Sequence, residues 1–298
     1  MVQVIVGPTA AGKSALAMSL AERMRRDGRR VEIVSADSRQ IYIGMDIGTA
    51  KPTDEERRAV AHHMLDVVSP DRPYSAGEYA AAARAVTLDI IERGATPIVV
   101  GGSGFYIRAL FEGLAAPAID PSVLAMLEER IAREGYDALV AELERVDPAA
   151  AAAHSINNRV KTLRALACYH QTGRPYSSFA GSGVLGRFEL APEYLGVTPD
   201  RPTLYAWINE RAAAMVERGL VAETRALLDA GLDRQAPGLR TVGYREAIAH
   251  IDGQLDEAAM LEAIRQSTRR YAKRQLTWFR SVEGVRWIDP REGPLLSP

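Results

Sequence analysis

The feature that most constrains this chain is a short glycine-containing segment near its N-terminus. Residues 7–14 are GPTAAGKS, which matches the pattern G-x-x-x-x-G-K-[ST] at every fixed position. The segment lies between Val2–Val6, an apolar run typical of a buried strand, and Ser14–Arg26, whose Ala/Leu/Met content and basic end predict a helix. Strand, loop and helix in this order turn several backbone N–H groups inward around a phosphate. The sequence therefore predicts an α/β fold with a P-loop NTPase-like parallel sheet core.

The positions of this loop have distinct predicted roles. Lys13 would reach the terminal phosphate, and the hydroxyl of Ser14 would ligate Mg²⁺. The same cradle accepts a nucleoside triphosphate or any other pyrophosphate, so the loop alone leaves the ligand open. The predicted phosphate-binding residues are Gly7, Pro8, Thr9, Ala10, Ala11, Gly12, Lys13 and Ser14.

Short β-rich runs alternate with amphipathic segments through the first third of the chain, as expected for a parallel sheet covered by helices. Val31–Ser35 and Pro97–Val100 are the next predicted strands. Thr53–Glu56 and Ser75–Glu78 each have the S/T-x-x-E form of a capping box. The second of them opens an Ala-rich helix that is predicted to run to about Arg93.

A helical block interrupts this alternation from about Pro117. Three helices and a Gly- and Ser-rich loop are predicted there, at Pro121–Glu134, Asp137–Arg145, Asn158–Gln171 and residues 173–186. Strands are predicted again at Glu193–Val197 and Val285–Ile288. We therefore expect two domains, a catalytic core of residues 1–117 and 189–298 and a helical insertion of residues 118–188.

A carboxylate follows the second predicted strand. Asp37 lies in SADSRQIY at residues 35–42, which places it at the carboxyl edge of the sheet beside the phosphate loop. There it could bind Mg²⁺, act as a base, or cap the following turn. The next segment, GMDIGTAKP at residues 44–52, is a long polar loop punctuated by glycine, which favours a binding role.

The overall charge argues against a protein coated in basic residues, because 37 Lys and Arg balance 38 Asp and Glu to a net charge of −1. Positive charge is nevertheless concentrated in RQSTRRYAKRQLTWFR at residues 265–280, which holds six Arg or Lys and no acid. On a helix, Arg265, Arg269 and Lys273 would form one stripe with Arg270 and Arg274 beside it. Such a stripe suits phosphate contacts, although charged helix faces are often merely solvated.

Other residue types narrow the class of protein. The single cysteine, Cys168, excludes an intramolecular disulfide and is expected to be a small buried hydrophobe. The five histidines have no metal-ligand spacing, so we predict no zinc site. No apolar stretch reaches the roughly 18 residues of a membrane span. The sequence therefore favours a cytoplasmic protein that does not cross a membrane.

Five separated motifs together resemble the bacterial tRNA dimethylallyltransferases, and they cover nearly the whole chain. They are GPTAAGKS at 7–14, SADSRQIYIGMDIGTAKP at 35–52, GGSGFYIRALFEGL at 101–114, RTVGYREA at 240–247 and TRRYAKRQLTWFR at 268–280. The resemblance implies transfer of a dimethylallyl group from dimethylallyl diphosphate to N6 of adenosine 37, in tRNAs that read codons beginning with U. It further implies that the phosphate loop holds the diphosphate with Mg²⁺, and that a monomer binds one tRNA at its anticodon stem-loop.

The resemblance also implies roles for single residues. Asp37 would be the general base, while Lys13 and Arg211 would stabilise the leaving diphosphate; from its own sequence context, Arg211 is expected on a solvated helix face. Ser103 stands where the family usually has Thr, and Lys161 takes a basic position of the family pattern. The implied tRNA-contacting residues are Asp37, Ser38, Arg39, Gln40, Ser103, Val160, Lys161, Thr162, Leu163, Arg164, Arg240, Thr241, Val242, Gly243, Tyr244 and Arg245.

Three other functions remain open to the sequence. A related adenylate isopentenyltransferase would use free AMP, ADP or ATP, but a mononucleotide needs neither the helical insertion nor the basic C-terminal segment. A small-molecule or nucleoside kinase would need only the phosphate loop and leaves the other four motifs unexplained. A non-catalytic tRNA-binding function would not explain the phosphate loop or Asp37.

Overall fold

A six-stranded parallel sheet organises the described part of the chain. The computed structural model describes residues 1–114, 116–117, 119–153, 158–179 and 185–292. Within them the strands are β1 (Val2–Val6), β2 (Val31–Ser35), β3 (Ala61–His63), β4 (Thr96–Gly101), β5 (Pro192–Val197) and β6 (Arg286–Ile288). Their order across the sheet is β3-β2-β4-β1-β5-β6, and every neighbouring pair is parallel. The predicted α/β class and its parallel sheet are confirmed.

The helices of the described residues connect and flank these strands. They are α1 (Lys13–Arg26), α2 (Asp54–Ala59), α3 (Ala76–Glu92), α4 (Gly104–Glu112), α5 (Pro121–Glu134), α6 (Tyr136–Val146), α7 (Pro148–Ala153), α8 (Arg159–Thr172), α9 (Arg201–Glu217), α10 (Leu220–Asp229), α11 (Tyr244–Ile251) and α12 (Glu257–Arg280). Short 3₁₀ turns occupy Tyr176–Phe179 and Pro290–Glu292. No helix among the described residues is long and apolar enough to span a membrane.

The chain divides into two compact units. One comprises Met1–Phe111 with Glu189–Pro298, and the other comprises Glu112–Phe188. The units divide between Phe111 and Glu112 and between Phe188 and Glu189. The first junction falls at the end of α4, whose apolar residues Leu110 and Phe111 are buried. The domain boundaries between residues 117 and 118 and between residues 188 and 189 stay a prediction.

Alternating side chains of the strands build the core of the first unit. Ile5, Ile33 and Ile98 lie on one face of the sheet and pack against Ala17 and Ala21 of α1. The small alanines allow the helix to approach the sheet closely, and the helix follows directly on the loop that leaves β1. This packing fixes the position of the predicted phosphate loop.

Local sequence patterns set several element boundaries. Both predicted capping boxes form, with Thr53 and Glu56 opening α2 and Ser75 and Glu78 opening α3. The edge strand β3 is absent from the sequence prediction, because its three residues show no alternation and only their pairing with β2 defines them.

The second unit has its own apolar core. Leu127, Leu139 and Leu166 from three of its helices meet there, and Cys168 is fully buried as predicted. Leu114 and Leu185 exchange backbone hydrogen bonds and so bring the two ends of the unit together. Of the predicted loop at 173–186, the first part contains the 3₁₀ turn, and residues 180–184 lie outside the described residues.

Candidate active site

Three loops meet at the carboxyl edge of the sheet. Because β2, β4 and β1 are neighbours and parallel, residues 36–40, 101–104 and 7–14 leave the sheet side by side. Ala36 donates its N–H to the carbonyl of Val100 at 2.7 Å, and Ser103 donates to the carbonyl of Ala36 at 3.1 Å. The topology thus brings Asp37 beside the phosphate loop, as the sequence predicts.

Two glycines allow these loops to approach each other. A Cβ on Gly7, whose φ is +149°, would lie 2.2 Å from the carbonyl oxygen of Val197. A Cβ on Gly101 would lie 2.1 Å from the carbonyl oxygen of Ala36. Neither backbone neighbour can move away cheaply, so a side chain at either position would open the site.

The phosphate loop ends at a helix N-terminus that is available to an anion. Gly12 begins α1 in the left-handed region, no side chain caps the helix there, and its first turn contains no acid. Lys13 donates from Nζ to the carbonyl of Pro8 at 2.7 Å. The positive end of the helix dipole and the Lys13 ammonium therefore face the same space.

This space is a polar cavity, which we call the loop cavity. It is lined by Lys13, Ser14, Asp37 and Arg211, together with Thr9, Ala17, Met18, Ile33, Ser35, Gln40, Ala50, Pro52, Glu56, His62, Val100 and Gly101. All of these residues belong to the first compact unit. The cavity brings together the three predicted catalytic residues and the predicted metal ligand.

Burial changes the pKa values of the two cationic side chains of the loop cavity, Lys13 and Arg211. Burial lowers the pKa of Lys13 to about 8, with Asp37 opposing and Arg211 reinforcing the shift. Burial also lowers the pKa of Arg211, against the influence of Asp37. Among the described residues, no carboxylate forms an ion pair with Arg211. In the described part of the chain neither cation forms a direct ion pair, and two partly desolvated cations in this state favour the binding of a multiply charged anion.

A second cavity adjoins the first and has a volume of about 230 Å³. We call it the α12 cavity, because that helix supplies Ile264, Thr268, Tyr271 and Arg274 to its wall. Its other lining residues are Thr9, Asp37, Arg39, Gly48, Thr49, Ile208, Arg211, Ala212, Met215, Arg240, Thr241, Val242 and Arg245. Thr9, Asp37 and Arg211 therefore lie at the junction of the two cavities.

Asp37 is held in place at this junction by its own loop. Its Oδ1 accepts the N–H of Arg39 at 2.9 Å, which closes a short turn. A carboxylate oriented in this way can accept a proton from a group in the α12 cavity while a phosphate group occupies the loop cavity.

Helix α9 contributes one face to the α12 cavity. Ile208, Arg211, Ala212 and Met215 follow one another at the i, i+3, i+4, i+7 spacing. The resemblance predicted only Arg211 from this set. The apolar members were missed, although their helical spacing around Arg211 could have indicated a shared face.

The α12 cavity combines apolar side chains such as Ile208 and Met215 with charged and polar ones, and two of its hydroxyl groups are notable. Thr241 is buried, and its Oγ1 has no hydrogen-bond partner among the described residues. Burial raises the pKa of Tyr271 to about 12, so its hydroxyl stays protonated and can donate a hydrogen bond at neutral pH. A flat, polar-edged base fits such a lining.

The predicted RNA-contacting residues of 240–245 separate into two groups. Arg240, Thr241, Val242 and Arg245 line the α12 cavity, whereas Gly243 and Tyr244 do not. Gly243 starts α11 with φ +101°, and the fully buried Tyr244 donates from its hydroxyl to Glu223. These two residues have structural contacts, and their predicted contact with RNA stays a prediction.

Two polar residues after Asp37, Ser38 and Gln40, form hydrogen bonds that connect loops of the site. The Oγ of Ser103 accepts the N–H of Ser38 at 2.8 Å, so the two loops are joined there. Gln40 accepts from Ser35 at 3.0 Å and donates to the carbonyl of Ala50 at 3.1 Å. Gln40 therefore holds the loop 44–52 against β2.

The predicted contact segment 160–164 belongs to α8 of the second compact unit. Val160 is 76% exposed, and Lys161 is exposed as well. Thr162 and Leu163 are buried in the core of that unit, where Thr162 accepts a hydrogen bond from Tyr136. The prediction for these two is corrected, because the helix turns them inward and leaves Val160, Lys161 and Arg164 as candidates.

The basic segment 265–280 lies on α12, as predicted, but its charges are not equally available. Arg265 and Arg269 are each 3.6 Å from Glu262, which lies one turn before Arg265 and two turns before Arg269. Arg269 also donates to Asn209. The exposed basic residues of the segment are Arg270, Lys273, Arg274 and Arg280. The predicted stripe is therefore partly neutralised at its N-terminal end.

The donor set of the loop cavity fits a magnesium ion. The Ser14 hydroxyl and the Asp37 carboxylate line the same cavity, and both are oxygen ligands of the kind that Mg²⁺ accepts beside substrate phosphates. No cluster of three His, Cys, Asp or Glu residues with metal-site geometry occurs in the described ranges. Further ligands would have to come from phosphate oxygens and water.

Curated bacterial proteins share most of this sequence. The chain is 44% identical over 289 residues to the tRNA dimethylallyltransferase of Geobacter metallireducens, covering 96% of this chain and 91% of that protein. It is 42% identical over 291 residues to the tRNA dimethylallyltransferase of Geobacillus kaustophilus, covering 97% and 90%.

Solved structures agree in fold. The tRNA isopentenylpyrophosphate transferase from Bacillus halodurans is 36% identical, with a TM-score of 0.68 and coverage of 97% of this chain and 89% of that chain. A eukaryotic dimethylallyltransferase captured acting on tRNA is 25% identical, with a TM-score of 0.81 and coverage of 97% and 73%. The P-loop NTPase-like fold is therefore confirmed. The family model for IPP transferases matches residues 40–282, and the chain belongs to this family.

Proposed function

We propose that this chain transfers the dimethylallyl group of dimethylallyl diphosphate to N6 of adenosine 37, in tRNAs that read codons beginning with U. The product is N6-(dimethylallyl)adenosine. The observation that carries the proposal is the junction of the two cavities at Asp37, Arg211 and Thr9. A phosphate site and a base-sized cavity that share one carboxylate suit a direct transfer between a diphosphate ester and a nucleobase.

The loop cavity is the place for the leaving group. As the bond between C1 and oxygen breaks, its electron pair passes to the diphosphate. Lys13, Arg211 and the N–H groups at the start of α1 stabilise the growing charge, and their effect is largest when the charge has fully developed. The loop thus serves as a clamp for diphosphate rather than as a site of ATP hydrolysis.

The α12 cavity is the place for the accepting base. The N6 amine is a poor nucleophile, because its lone pair is delocalised into the adenine ring. As the bond between N6 and C1 forms, the Asp37 carboxylate takes one N6 proton, and the uncharged amine remains in the product. The apolar side chains of Ile208, Ala212 and Met215 can accommodate the hydrocarbon of the donor.

A bound Mg²⁺ would add charge stabilisation at the diphosphate. Ser14, whose hydroxyl lines the loop cavity, is the residue that would hold it.

The RNA must deliver a single base into the α12 cavity. Adenosine 37 lies in a stacked loop, so its extrusion costs a few kcal/mol. Contacts between exposed basic residues and phosphates of the anticodon stem-loop would offset this cost. Arg274 lines the cavity, and Arg270 and Lys273 are exposed on the same helix. We further propose that the protein acts in the cytoplasm as a monomer.

One assay tests the proposed acceptor. The protein and Mg²⁺ are incubated with labelled dimethylallyl diphosphate and, in parallel, with an unmodified tRNA carrying adenosines 36 and 37, with free AMP, or with ATP and nucleosides. Label is expected on the tRNA alone, at adenosine 37. Label on AMP and none on tRNA would instead identify an adenylate isopentenyltransferase.

A further inference from the structure

Helix α12 reaches into the site with a buried glutamine that the proposed reaction does not use. Gln275 is 5% exposed and lies between two of the active-site loops. Its Oε1 accepts the N–H of Thr9 at 2.8 Å, and its Nε2 donates to the carbonyl of Gly102 at 2.9 Å. One amide therefore connects the phosphate loop with the loop that leaves β4.

The surroundings leave the amide little freedom. A Cβ on Gly102 would lie 2.2 Å from Nε2 of Gln275, so the glycine is what allows the close approach. Next to it, Ala11 of the phosphate loop packs against Ile208 of α9 and Ala272 of α12. The glutamine is thus fixed by packing on one side and by two hydrogen bonds on the other.

The contact has a direct consequence for the phosphate loop. Since its N–H is bound by Gln275, Thr9 does not offer that donor to a ligand, while the N–H groups at the start of α1 have no side-chain cap. The orientation of the Thr9 peptide determines where the following residues place their own N–H groups.

We propose that Gln275 is a positioning residue for diphosphate binding, which holds the phosphate loop in its anion-binding conformation through Thr9. The inference rests on the proposed function in taking the ligand to be a diphosphate. It assigns to Gln275 no contact with either substrate.

The substitution Gln275→Met tests the proposal, because it keeps the length of the side chain and removes both hydrogen bonds. We expect KM for dimethylallyl diphosphate and Kd for inorganic diphosphate with Mg²⁺ to rise about tenfold, as for the loss of hydrogen bonds that order a loop. The affinity for tRNA should stay within about twofold. A merely structural role would lower the melting temperature and leave both constants unchanged, and that result would overturn the proposal.

Gln3→Met is the matched control. Gln3 lies near the start of β1, at the opposite end of the strand from the phosphate loop, and its amide also donates to a backbone carbonyl, that of Glu193. The Gln3→Met variant should keep the wild-type KM for dimethylallyl diphosphate and the wild-type Kd for inorganic diphosphate.

Gln275→Glu supplies a second test that does not depend on the methionine variant being stable. Ionised, the new carboxylate would face the carbonyl of Gly102 and repel the ligand; protonated, it can again donate to Gly102 and accept from Thr9. We expect the ratio of its KM to that of the wild type to fall as the pH is lowered from about 8 to about 6. A KM ratio that is independent of pH would contradict the positioning role of Gln275.

The two proposals can fail separately. If the wild-type protein binds no diphosphate, or labels no tRNA, the proposed function is wrong. If the wild type does both and the Gln275 variants bind diphosphate equally well, only the positioning role is wrong.

Discussion

The carboxylate of Asp37 is the residue on which the proposed chemistry depends most directly. It lines both cavities and accepts a hydrogen bond from the backbone of Arg39. Asp37→Asn keeps the shape and the turn but removes the proton acceptor, so kcat should fall by roughly 10² to 10⁴. The affinity for tRNA, measured by filter binding, should be nearly unchanged. A large loss of tRNA binding with normal kcat would show that Asp37 positions the RNA instead.

The titration of Lys13 gives a prediction about pH. Its pKa is lowered to about 8 by burial, so its positive charge is lost as the pH rises through this value. Only the protonated form attracts the diphosphate, and kcat/KM for dimethylallyl diphosphate should therefore decline above about pH 8.

Lys13→Arg provides the comparison for this profile, because a guanidinium stays charged over the whole range. Its activity should be lower throughout, since the longer side chain fits the loop less well, but the alkaline decline should be absent. A wild-type profile that stays flat to about pH 9.5 would contradict the assignment.

At the scale of elements, α12 has one face that packs against an active-site loop and another that exposes basic residues. Gln275 and Trp278 pack against the loop 101–104, where a Cβ on Gly104 would lie 2.1 Å from the Trp278 ring. Arg270 and Lys273 are exposed. The double substitution Arg270→Gln and Lys273→Gln should raise KM for tRNA with little change in kcat, and lower the salt dependence of log Kd by about 1.5.

A control with the same change in charge is Arg26→Gln with Arg30→Gln. Both residues are exposed, and they lie at the end of α1 and before β2, at the opposite edge of the sheet from the loops. Equal losses of tRNA affinity in the two double variants would mean that only net charge matters, and would argue against α12 as the RNA surface.

At the scale of the whole molecule, the helical unit is closed at its base by the Leu114–Leu185 bridge. Replacing residues 115–184 by a short Gly-Ser linker should leave the first unit folded, since the sheet and both cavities belong to it. We expect inorganic diphosphate to bind as in the wild type and tRNA to bind at least about tenfold more weakly, as measured by calorimetry and filter binding. Undiminished tRNA affinity would exclude Val160, Lys161 and Arg164 as contacts.

The net charge of −1 is also a property of the whole molecule. It averages an acidic stretch, residues 128–144, with the basic segment of α12. A local positive surface on a nearly neutral protein is sufficient to bind one stem-loop and to release it after modification.

Much of the fold follows from local sequence patterns. The strands β1 and β2 and the helix α5 begin and end where the sequence predicts. Both capping boxes form, because they depend only on residues three positions apart. The strand β3 and the inward orientation of Thr162 and Leu163 were not predicted, since each depends on a packing partner elsewhere in the chain.

The sequence by itself determined the phosphate loop, the carboxylate after the second strand and the family. The first two are carried by residues close together in the chain, and the family by five short motifs that can each be read locally. The tertiary structure decided that two cavities meet at Asp37, that Tyr244 is internal, and that Gln275 holds Thr9 from 266 residues away. Strand order and helix packing bring these groups together. Both depend on burial of apolar surface between distant segments, which no local pattern encodes.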